Sequence, residues 1–171
     1  SATFRDLDPN AWYHESIDFV LNAGLMNGMS ATEFSPNGKL TRGQMVTILY
    51  RMAGSPAADK DAPFTDVKAG RYYTQAIRWA WAEGIANGIT PTRFAPEEPI
   101  TREQMVTFLA RFAEFSGVDT TATGDLGDFT DASKVSAYAE DAMTWAVHTG
   151  IIHGMGNGKL DPKGTATRAQ F

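Results

Sequence analysis

One segment of this chain occurs three times, and that repetition constrains the fold more than any other feature of the sequence. Residues 4–53 align without a gap with residues 64–113, 60 positions further on. A third copy begins at Phe129 and Asp131, first 65 and then 66 positions beyond its counterpart in the second copy. Three tandem copies of one short unit indicate similar structural units that stack on one another and share a core.

Two polar stretches separate the copies. They cover residues 54–63 and 117–127 and indicate exposed linkers. We therefore divide the chain into repeats at 1–56, 57–120 and 121–171. The residues of the first copy that recur 60 positions later are Phe4, Asp6, Tyr13, Ile17, Gly24, Gly28, Phe34, Pro36, Thr41, Arg42, Gln44, Leu49 and Arg51.

Each repeat has the pattern of two helices joined by a loop. Apolar residues recur every three or four positions, as on one face of a helix of about 11 residues. The first helix of each repeat is expected to begin near Trp12, Tyr72 and Tyr138. A glycine then stands where a helix commonly ends in the left-handed conformation, at Gly24, Gly84 and Gly150. The sequence thus predicts a mainly α fold of three helix–loop–helix repeats.

The second helix of each repeat begins with the motif Thr-Arg-x-Gln. Thr followed three residues later by Gln, ahead of an apolar run, is a capping box. The capping residues are therefore Thr41, Gln44, Thr101, Gln104, Thr167 and Gln170. Capping does not explain the arginine, because a cation in the first turn lies at the positive end of the helix dipole. We therefore expect a separate role for Arg42, Arg102 and Arg168.

Composition excludes several classes of function. The net charge is −5 and no basic stripe is present, which argues against nucleic-acid binding. The absence of cysteine excludes disulfides and thiolate metal sites. No apolar run approaches the roughly 20 residues of a membrane span. The histidines, His14, His148 and His153, occupy non-equivalent positions, so we predict no metal, no cofactor and no catalytic residues.

The order Phe-x-Asp, an aromatic pair, Gly-x-x-x-Gly, Phe-x-Pro and Leu/Ile-Thr-Arg-x-Gln resembles the S-layer homology (SLH) module of bacterial cell-surface proteins. The resemblance covers nearly the whole chain in three tandem copies. The family motif ends in Thr-Arg-Ala-Glu, whereas every copy here ends in Gln, which keeps the capping box and removes a carboxylate. The resemblance implies one three-pronged, pseudo-threefold assembly with a central helical bundle and grooves between its prongs.

The resemblance also implies a function. It implies a non-catalytic, secreted module that anchors a protein to the bacterial cell wall or S-layer. The implied partner is the secondary cell-wall polysaccharide on peptidoglycan, often through a terminal sugar with a pyruvate ketal. A larger surface protein or enzyme in cis is a further implied partner, without membrane insertion. The alternative hypotheses are a protein–protein assembly module of a surface layer and a fragment of an envelope enzyme.

Three columns of residues are candidates for carbohydrate binding. Arg42, Arg102 and Arg168 could hold an acidic group, or could be solvated or paired with a carboxylate of the neighbouring repeat. An aromatic column could stack on sugar rings or pack at the base of a prong; it comprises Trp12, Tyr72 and Tyr138. A glycine column could open the backbone to a ligand or adopt positive φ in a turn; it comprises Gly28, Gly88 and Gly154.

Two further columns have structural interpretations. The aspartates that follow Phe are expected to accept hydrogen bonds from loop N–H groups, with a secondary role in orienting the arginine of an adjacent copy. They are Asp6, Asp66 and Asp131. The recurrent phenylalanines are expected to anchor the core; they are Phe4, Phe34, Phe64, Phe94 and Phe129.

Overall fold

The structure, a computed structural model, describes residues 3–121 and 123–171. Within these residues the regular structure consists of five α-helices, two short 3-10 turns and isolated β-bridges, without a strand. The mainly α prediction is therefore confirmed. The helices are α1 (His14–Asn22), α2 (Arg42–Met52), α3 (Thr74–Ala82), α4 (Arg102–Phe115) and α5 (Glu140–His148), with the 3-10 turns at Ala132–Lys134 and Ala137–Ala139.

The first helix of each repeat is shorter than the sequence predicts. Helices α1, α3 and α5 each have nine residues and begin after Tyr13, Tyr73 and Ala139, none of which caps the helix with its side chain. In the first repeat the preceding turn is closed by a bond from His14 N to Ala11 O at 3.0 Å, an i to i+3 pattern. The predicted start near Trp12 is therefore two residues early, because no capping residue begins the α-helix there.

The predicted glycine ends are confirmed. The φ angles of Gly24, Gly84 and Gly150 are 69°, 72° and 75°, in the left-handed region that ends a helix.

The second helices begin at the predicted capping boxes. Thr41 Oγ1 accepts from Gln44 N at 3.1 Å, and Thr41 N donates to Gln44 Oε1 at 3.0 Å. Helix α4 has the same box. In the third repeat Thr167 N donates to Gln170 Oε1 at 3.0 Å, and the following residues form a turn.

Backbone hydrogen bonds join all three repeats in a closed ring. Leu40 N donates to Ala166 O at 2.9 Å, Ala166 N to Ile100 O at 3.0 Å, and Ile100 N to Leu40 O at 2.8 Å. All three residues are fully buried. Each is the residue before the Thr of a Thr-Arg-x-Gln motif, so the ring brings together the starts of α2 and α4 and the corresponding turn of the third repeat.

The helices pack between repeats. Helix α2 packs against α3 of the next repeat, and α4 packs against α5. Phe34, Phe64 and Phe94 are buried in the shared core, and Phe4 and Phe129 pack against it while partly exposed. Among the described residues, no helix combines the length and hydrophobicity needed to span a membrane.

Candidate functional site

The motif arginines are buried where one repeat meets the next. Their exposed fractions are 3% for Arg42, 5% for Arg102 and 5% for Arg168. Arg42 reaches into the second repeat, where its Nε donates to Phe94 O at 2.8 Å and its Nη2 to Asn87 O at 2.9 Å. A solvated Arg42 is therefore ruled out, and its hydrogen-bond partners are carbonyl oxygens of the next repeat.

The other two motif arginines also donate to backbone carbonyls of a neighbouring repeat. Arg102 Nε donates to Leu160 O of the third repeat at 2.8 Å. Arg168 reaches back to the first repeat, with Nε 2.9 Å from Phe34 O and Nη2 2.6 Å from Asn27 O. Each motif arginine thus holds the loop of a neighbouring repeat.

Burial and aromatic rings shape the electrostatics of these arginines. Burial lowers the pKa of Arg42 to about 10, which still leaves the guanidinium charged at neutral pH, and it lowers the pKa of Arg102 and Arg168. The Arg42 Cζ lies 4.7 Å from the centre of the Phe94 ring, and the Arg168 Cζ lies 4.6 Å from that of Phe34. Such cation–π contacts stabilise a buried cation.

The aspartate of each Phe-x-Asp segment bonds to a turn with unfavourable backbone angles. Ser35, Ala95 and Asp161 have φ of 62°, 59° and 49°, which are unfavourable for residues other than glycine. Asp6 accepts from Phe34 N at 2.9 Å and from Ser35 N at 2.6 Å. The acceptor role predicted for Asp6 is therefore confirmed.

Asp66 and Asp131 make the same pair of bonds in their own repeats. Asp66 accepts from the backbone N–H of Phe94 and Ala95, and Asp131 from that of Leu160 and Asp161. The carbonyl of the same loop residue then accepts from the motif arginine of an adjacent repeat. The same loop residue therefore donates its N–H to the aspartate of its own repeat and accepts at its C=O from the arginine of an adjacent repeat. The aspartate and the arginine do not bond each other directly.

Two matching grooves lie beside two of the motif arginines, Arg168 and Arg42. The first, which we call the Tyr72 groove, has a volume of about 330 Å³. It is lined by residues of all three repeats, among them Gly28, Gln44, Thr47, Arg51, Tyr72 and Arg168. The second, the Tyr138 groove, has a volume of about 340 Å³. Its lining includes the counterparts Gly88, Gln104, Thr107, Arg111, Tyr138 and Arg42.

The structure thus assembles six of the nine predicted binding residues into two equivalent groups. Each groove takes its glycine from one repeat, its tyrosine from the next and its motif arginine from the remaining one. The other three, Trp12, Arg102 and Gly154, lie outside these two grooves. Trp12 is 74% exposed, compared with 52% for Tyr72 and 54% for Tyr138.

The glycine column has a packing explanation. A Cβ added at Gly28 would lie 2.2 Å from Phe4 Cε1, and one at Gly88 would lie 2.6 Å from Phe64 Cε1. Gly154 combines a similar contact with Phe129 and a φ of 81°. The alternative of a positive φ is therefore correct for Gly154 and wrong for Gly28 and Gly88, where a phenylalanine ring and nearby backbone carbonyl oxygens leave no room for a side chain.

Sequence reasoning missed one cation in each groove. Arg51 on α2 and Arg111 on α4 line the two grooves and are partly exposed. Arg51 also donates from Nη1 to Leu25 O at 3.0 Å. The sequence contains a pattern that could have identified them, because Arg51 and Arg111 are counterparts at the 60-residue spacing. Arg51 follows Gln44 by seven residues, two helical turns, which places both on one helix face.

The grooves have a cationic, partly aromatic character. Each contains two arginines and an exposed tyrosine. Among the described residues that line them, none is acidic. Although the whole chain carries a net charge of −5, these two sites therefore favour an anionic group locally.

Comparison with known families agrees with this architecture. The S-layer homology domain matches the chain three times, at residues 3–46, 63–106 and 128–171. The chain belongs to the S-layer homology family. Each SLH match begins just before a Phe-x-Asp segment and ends within the second helix or the turn that corresponds to it. Membership makes this chain a cell-surface anchoring module, located outside the cell at the bacterial cell wall or S-layer.

Similar proteins carry this SLH region within much longer chains. An endoglucanase of Bacillus sp. (strain KSM-635) is 34% identical over 98% of this chain and 18% of its own length. The surface-layer 125 kDa protein of Lysinibacillus sphaericus is 34% identical over 100% of this chain and 14% of its own length. S-layer protein sap of Bacillus anthracis is 29% identical over 98% and 20%, respectively. The chain therefore spans one fifth or less of these relatives.

Proposed function

We propose that this SLH chain is a non-catalytic module that binds an acidic secondary cell-wall polysaccharide. The binding sites are the Tyr72 and Tyr138 grooves, and the recognised group is a terminal sugar that carries a pyruvate ketal. The observation that carries the proposal is the composition of the grooves. Each offers two guanidinium groups and one exposed aromatic ring, with no acidic side chain among the described lining residues.

The two arginines of a groove have different parts in this proposal. In the Tyr72 groove, Arg168 already uses Nε and Nη2 on carbonyls of the first repeat, so Nη1 is the nitrogen we assign to the ligand. Arg51 is partly exposed and supplies a second cation for the carboxylate. Tyr72 supplies an aromatic face for the sugar ring. Arg42, Arg111 and Tyr138 take these parts in the other groove.

The ring of backbone bonds supports a pseudo-threefold arrangement of the three repeats. Because within this ring each repeat donates to one neighbour and accepts from the other, the contacts are cyclic rather than linear. We propose the repeat limits 1–56, 57–120 and 121–171 from the spacing of the copies in the sequence. Trp12, Arg102 and Gly154 are then the members of a third, equivalent position. Several weak sites on one module would act together on a polymer.

The surrounding protein is also part of the proposal. Since the similar enzymes and surface-layer proteins are five or more times longer than the matched region, we propose that the module anchors a larger protein in cis. In that arrangement any catalytic activity belongs to other domains.

Sedimentation with purified wall sacculi tests this function. We expect the chain to cosediment with intact sacculi and to stay in solution once the secondary polysaccharide is chemically removed. Binding that persists on stripped sacculi contradicts the proposal and favours a protein or peptidoglycan partner. Release of reducing sugar from wall glycans contradicts the non-catalytic assignment.

Variants of the exposed arginines test the site. The double substitution Arg51→Ala and Arg111→Ala removes one cation from each groove, and we expect a loss of wall affinity of about tenfold or more, since a charge-assisted hydrogen bond contributes about 1.5–3 kcal/mol. The matched control is Arg78→Ala, an arginine outside the grooves that pairs with Asp61 at 3.0 Å. Equal affinity of the double variant and the control, with both folded by circular dichroism, contradicts the site assignment.

A further inference from the structure

The third letter of the Thr-Arg-x-Gln motif differs between the repeats, and in the second repeat it is a buried acid. The three residues are Gly43, Glu103 and Ala169. Glu103 is only 3% exposed. Its position is the second residue of α4, directly after Arg102. A carboxylate at such a site requires partners, because burying an unpaired charge is costly.

The Glu103 carboxylate accepts four hydrogen bonds, all from residues of the third repeat. Its Oε2 accepts from Ser136 N at 3.0 Å. Its Oε1 accepts from Ser136 Oγ at 2.9 Å, from the Tyr138 hydroxyl at 3.1 Å and from Lys163 Nζ at 2.6 Å. Lys163 also contacts the Ser136 hydroxyl. These bonds tie the edge of α4 to the aromatic residue of the Tyr138 groove.

A reciprocal change of side-chain size makes room for this acid. At the first boundary, a Cβ on Gly43 would lie 3.1 Å from the Tyr73 ring. The counterpart of Tyr73 in the third repeat is Ala139, in a turn that contacts α4. The first boundary thus combines the small Gly43 with the large Tyr73. The second boundary combines the large Glu103 with the small Ala139.

The first boundary also lacks two of the three residues that bond the Glu103 carboxylate, although Tyr72 stands there in the place of Tyr138. The residues that align with Ser136 and Lys163, 66 positions earlier, are Gly70 and Glu97. Neither can donate a side-chain hydrogen bond to a carboxylate at position 43, and Glu97 would repel it. The network is therefore specific to the boundary of the second and third repeats.

We propose that Glu103 is a positioning residue that fixes Tyr138 for ligand binding and makes the two grooves unequal sites. This inference rests on the proposed function of the grooves. Because the Tyr138 hydroxyl donates to Glu103, the ring has one defined orientation before the ligand arrives. A side chain that is already ordered loses less entropy on binding, which corresponds to about a threefold to tenfold gain in affinity.

The test measures each groove separately. In an Arg51→Ala background the Tyr138 groove is intact, and in an Arg111→Ala background the Tyr72 groove is intact. The probe is a synthetic methyl hexosaminide with a pyruvate ketal, titrated calorimetrically. We expect Glu103→Ala to weaken binding about threefold to tenfold in the first background and by less than twofold in the second. Equal weakening in both backgrounds, or none in either, overturns the proposal.

Two further measurements separate positioning from a loss of folding. Tyr138→Phe keeps the ring and removes the hydroxyl, so we expect weakening in the Arg51→Ala background without a comparable loss of stability. Glu103→Gln removes the negative charge beside the phenol. Since burial and Glu103 together raise the pKa of Tyr138 to about 12, we expect this phenol to ionise at lower pH in Glu103→Gln, as followed by ultraviolet difference spectra.

The outcomes distinguish this inference from the proposed function. A probe that fails to bind the unmodified chain contradicts the proposed function. In that case the ultraviolet titration still decides whether Glu103 holds Tyr138, and an unchanged ionisation of the Tyr138 phenol in Glu103→Gln overturns the positioning role.

Discussion

The boundary of repeats one and two and the boundary of repeats two and three use the same backbone contacts with different side chains. At the first, Arg42 N donates to Glu98 O at 2.9 Å and Gly43 N to Pro96 O at 2.8 Å. At the second, the N–H groups of Arg102 and Glu103 donate to the carbonyls of Gly164 and Pro162 at 2.8 and 3.0 Å. The geometry of the module therefore comes from backbone hydrogen bonds that tolerate different chemistry around them.

The side chains make the first boundary aromatic and the second ionic. Arg42 lies over the rings of Phe94 and Phe108 at 4.7 and 5.1 Å. The third repeat has Leu160 where the second has Phe94. Arg102 therefore donates to the Leu160 carbonyl but has no aromatic ring at that position. The second boundary instead has the buried Glu103. Tandem repeats of one fold can thus differ in stability and pH dependence at each junction.

Moving the acid to the first boundary gives the largest expected effect. We expect Gly43→Glu to lower the free energy of unfolding by about 3–5 kcal/mol, as measured by urea denaturation, because the charge would be buried without the lysine and serine that bond Glu103 at the second boundary. The added Cβ would also lie 2.9 Å from Pro96 O and 3.1 Å from the Tyr73 ring. Glu97 stands where the second boundary has Lys163.

Gly43→Ala is the matched control for that prediction. It introduces the same Cβ without charge and should cost clearly less. If the two variants have equal stability, then the first boundary accommodates a carboxylate, and the contrast between the boundaries does not depend on charge.

Removing the acid from the second boundary has a smaller effect. We expect Glu103→Ala to lower the free energy of unfolding by about 1–3 kcal/mol, because a hydrogen-bonded charged group is lost. The former partners, Ser136 and Lys163, are partly exposed and can bind water instead. A variant as stable as the original chain would show that burying the carboxylate offsets its four hydrogen bonds.

Local patterns of the sequence predicted the parts of this fold that are held within one repeat. The capping boxes at Thr41 and Thr101, the helix end at Gly24 and the acceptor role of Asp6 depend on residues in one copy. Their spacing in the chain is enough to define the contact. The mainly α fold follows from the same signals together with the apolar periodicity.

Contacts between repeats could not be predicted in this way. The partners of Arg42 are carbonyls of the next repeat, and a carbonyl has no signature in the sequence. The steric reason for Gly28 depends on Phe4, which approaches it only in three dimensions. The hydrogen bonds of the Glu103 carboxylate could not be predicted either, because its partners lie 33 to 60 residues away in the chain. Arg51 was visible in the alignment, but only the structure places it beside Arg168.

Substitution of the motif arginines, Arg42 and Arg102, compares the stability of the two boundaries directly. We expect Arg42→Lys to destabilise the chain by about 1 kcal/mol more than Arg102→Lys, as measured by thermal unfolding. A lysine cannot reproduce two hydrogen bonds from one planar group, and it stacks less well on Phe94 and Phe108. Equal losses for the two variants would show that neither the second hydrogen bond of Arg42 nor the rings at the first boundary contribute measurably to stability.

The smallest expected effect is that of pH, and it belongs to the second boundary. Burial alone would raise the pKa of Glu103, but hydrogen bonds from Lys163, Ser136 and Tyr138 hold it below the usual 4.5. The folded state therefore binds this proton less readily than the unfolded state. The resulting stabilisation is complete above about pH 4.5 and is lost as the pH falls through the lowered value.

Other carboxylates also titrate in that range, so the measurement must be a difference. Backbone N–H groups of their own loops hold the pKa of Asp6 and Asp131 below the usual value, in spite of the opposing effect of burial. Both remain in Glu103→Gln, which keeps most of the side chain. We expect the stability gap between the original chain and Glu103→Gln, measured by urea unfolding, to shrink as the pH falls from about 6 to 3. If this stability gap does not change with pH, the charge of Glu103 does not stabilise the second boundary. The difference between the two boundaries would then depend on side-chain size alone.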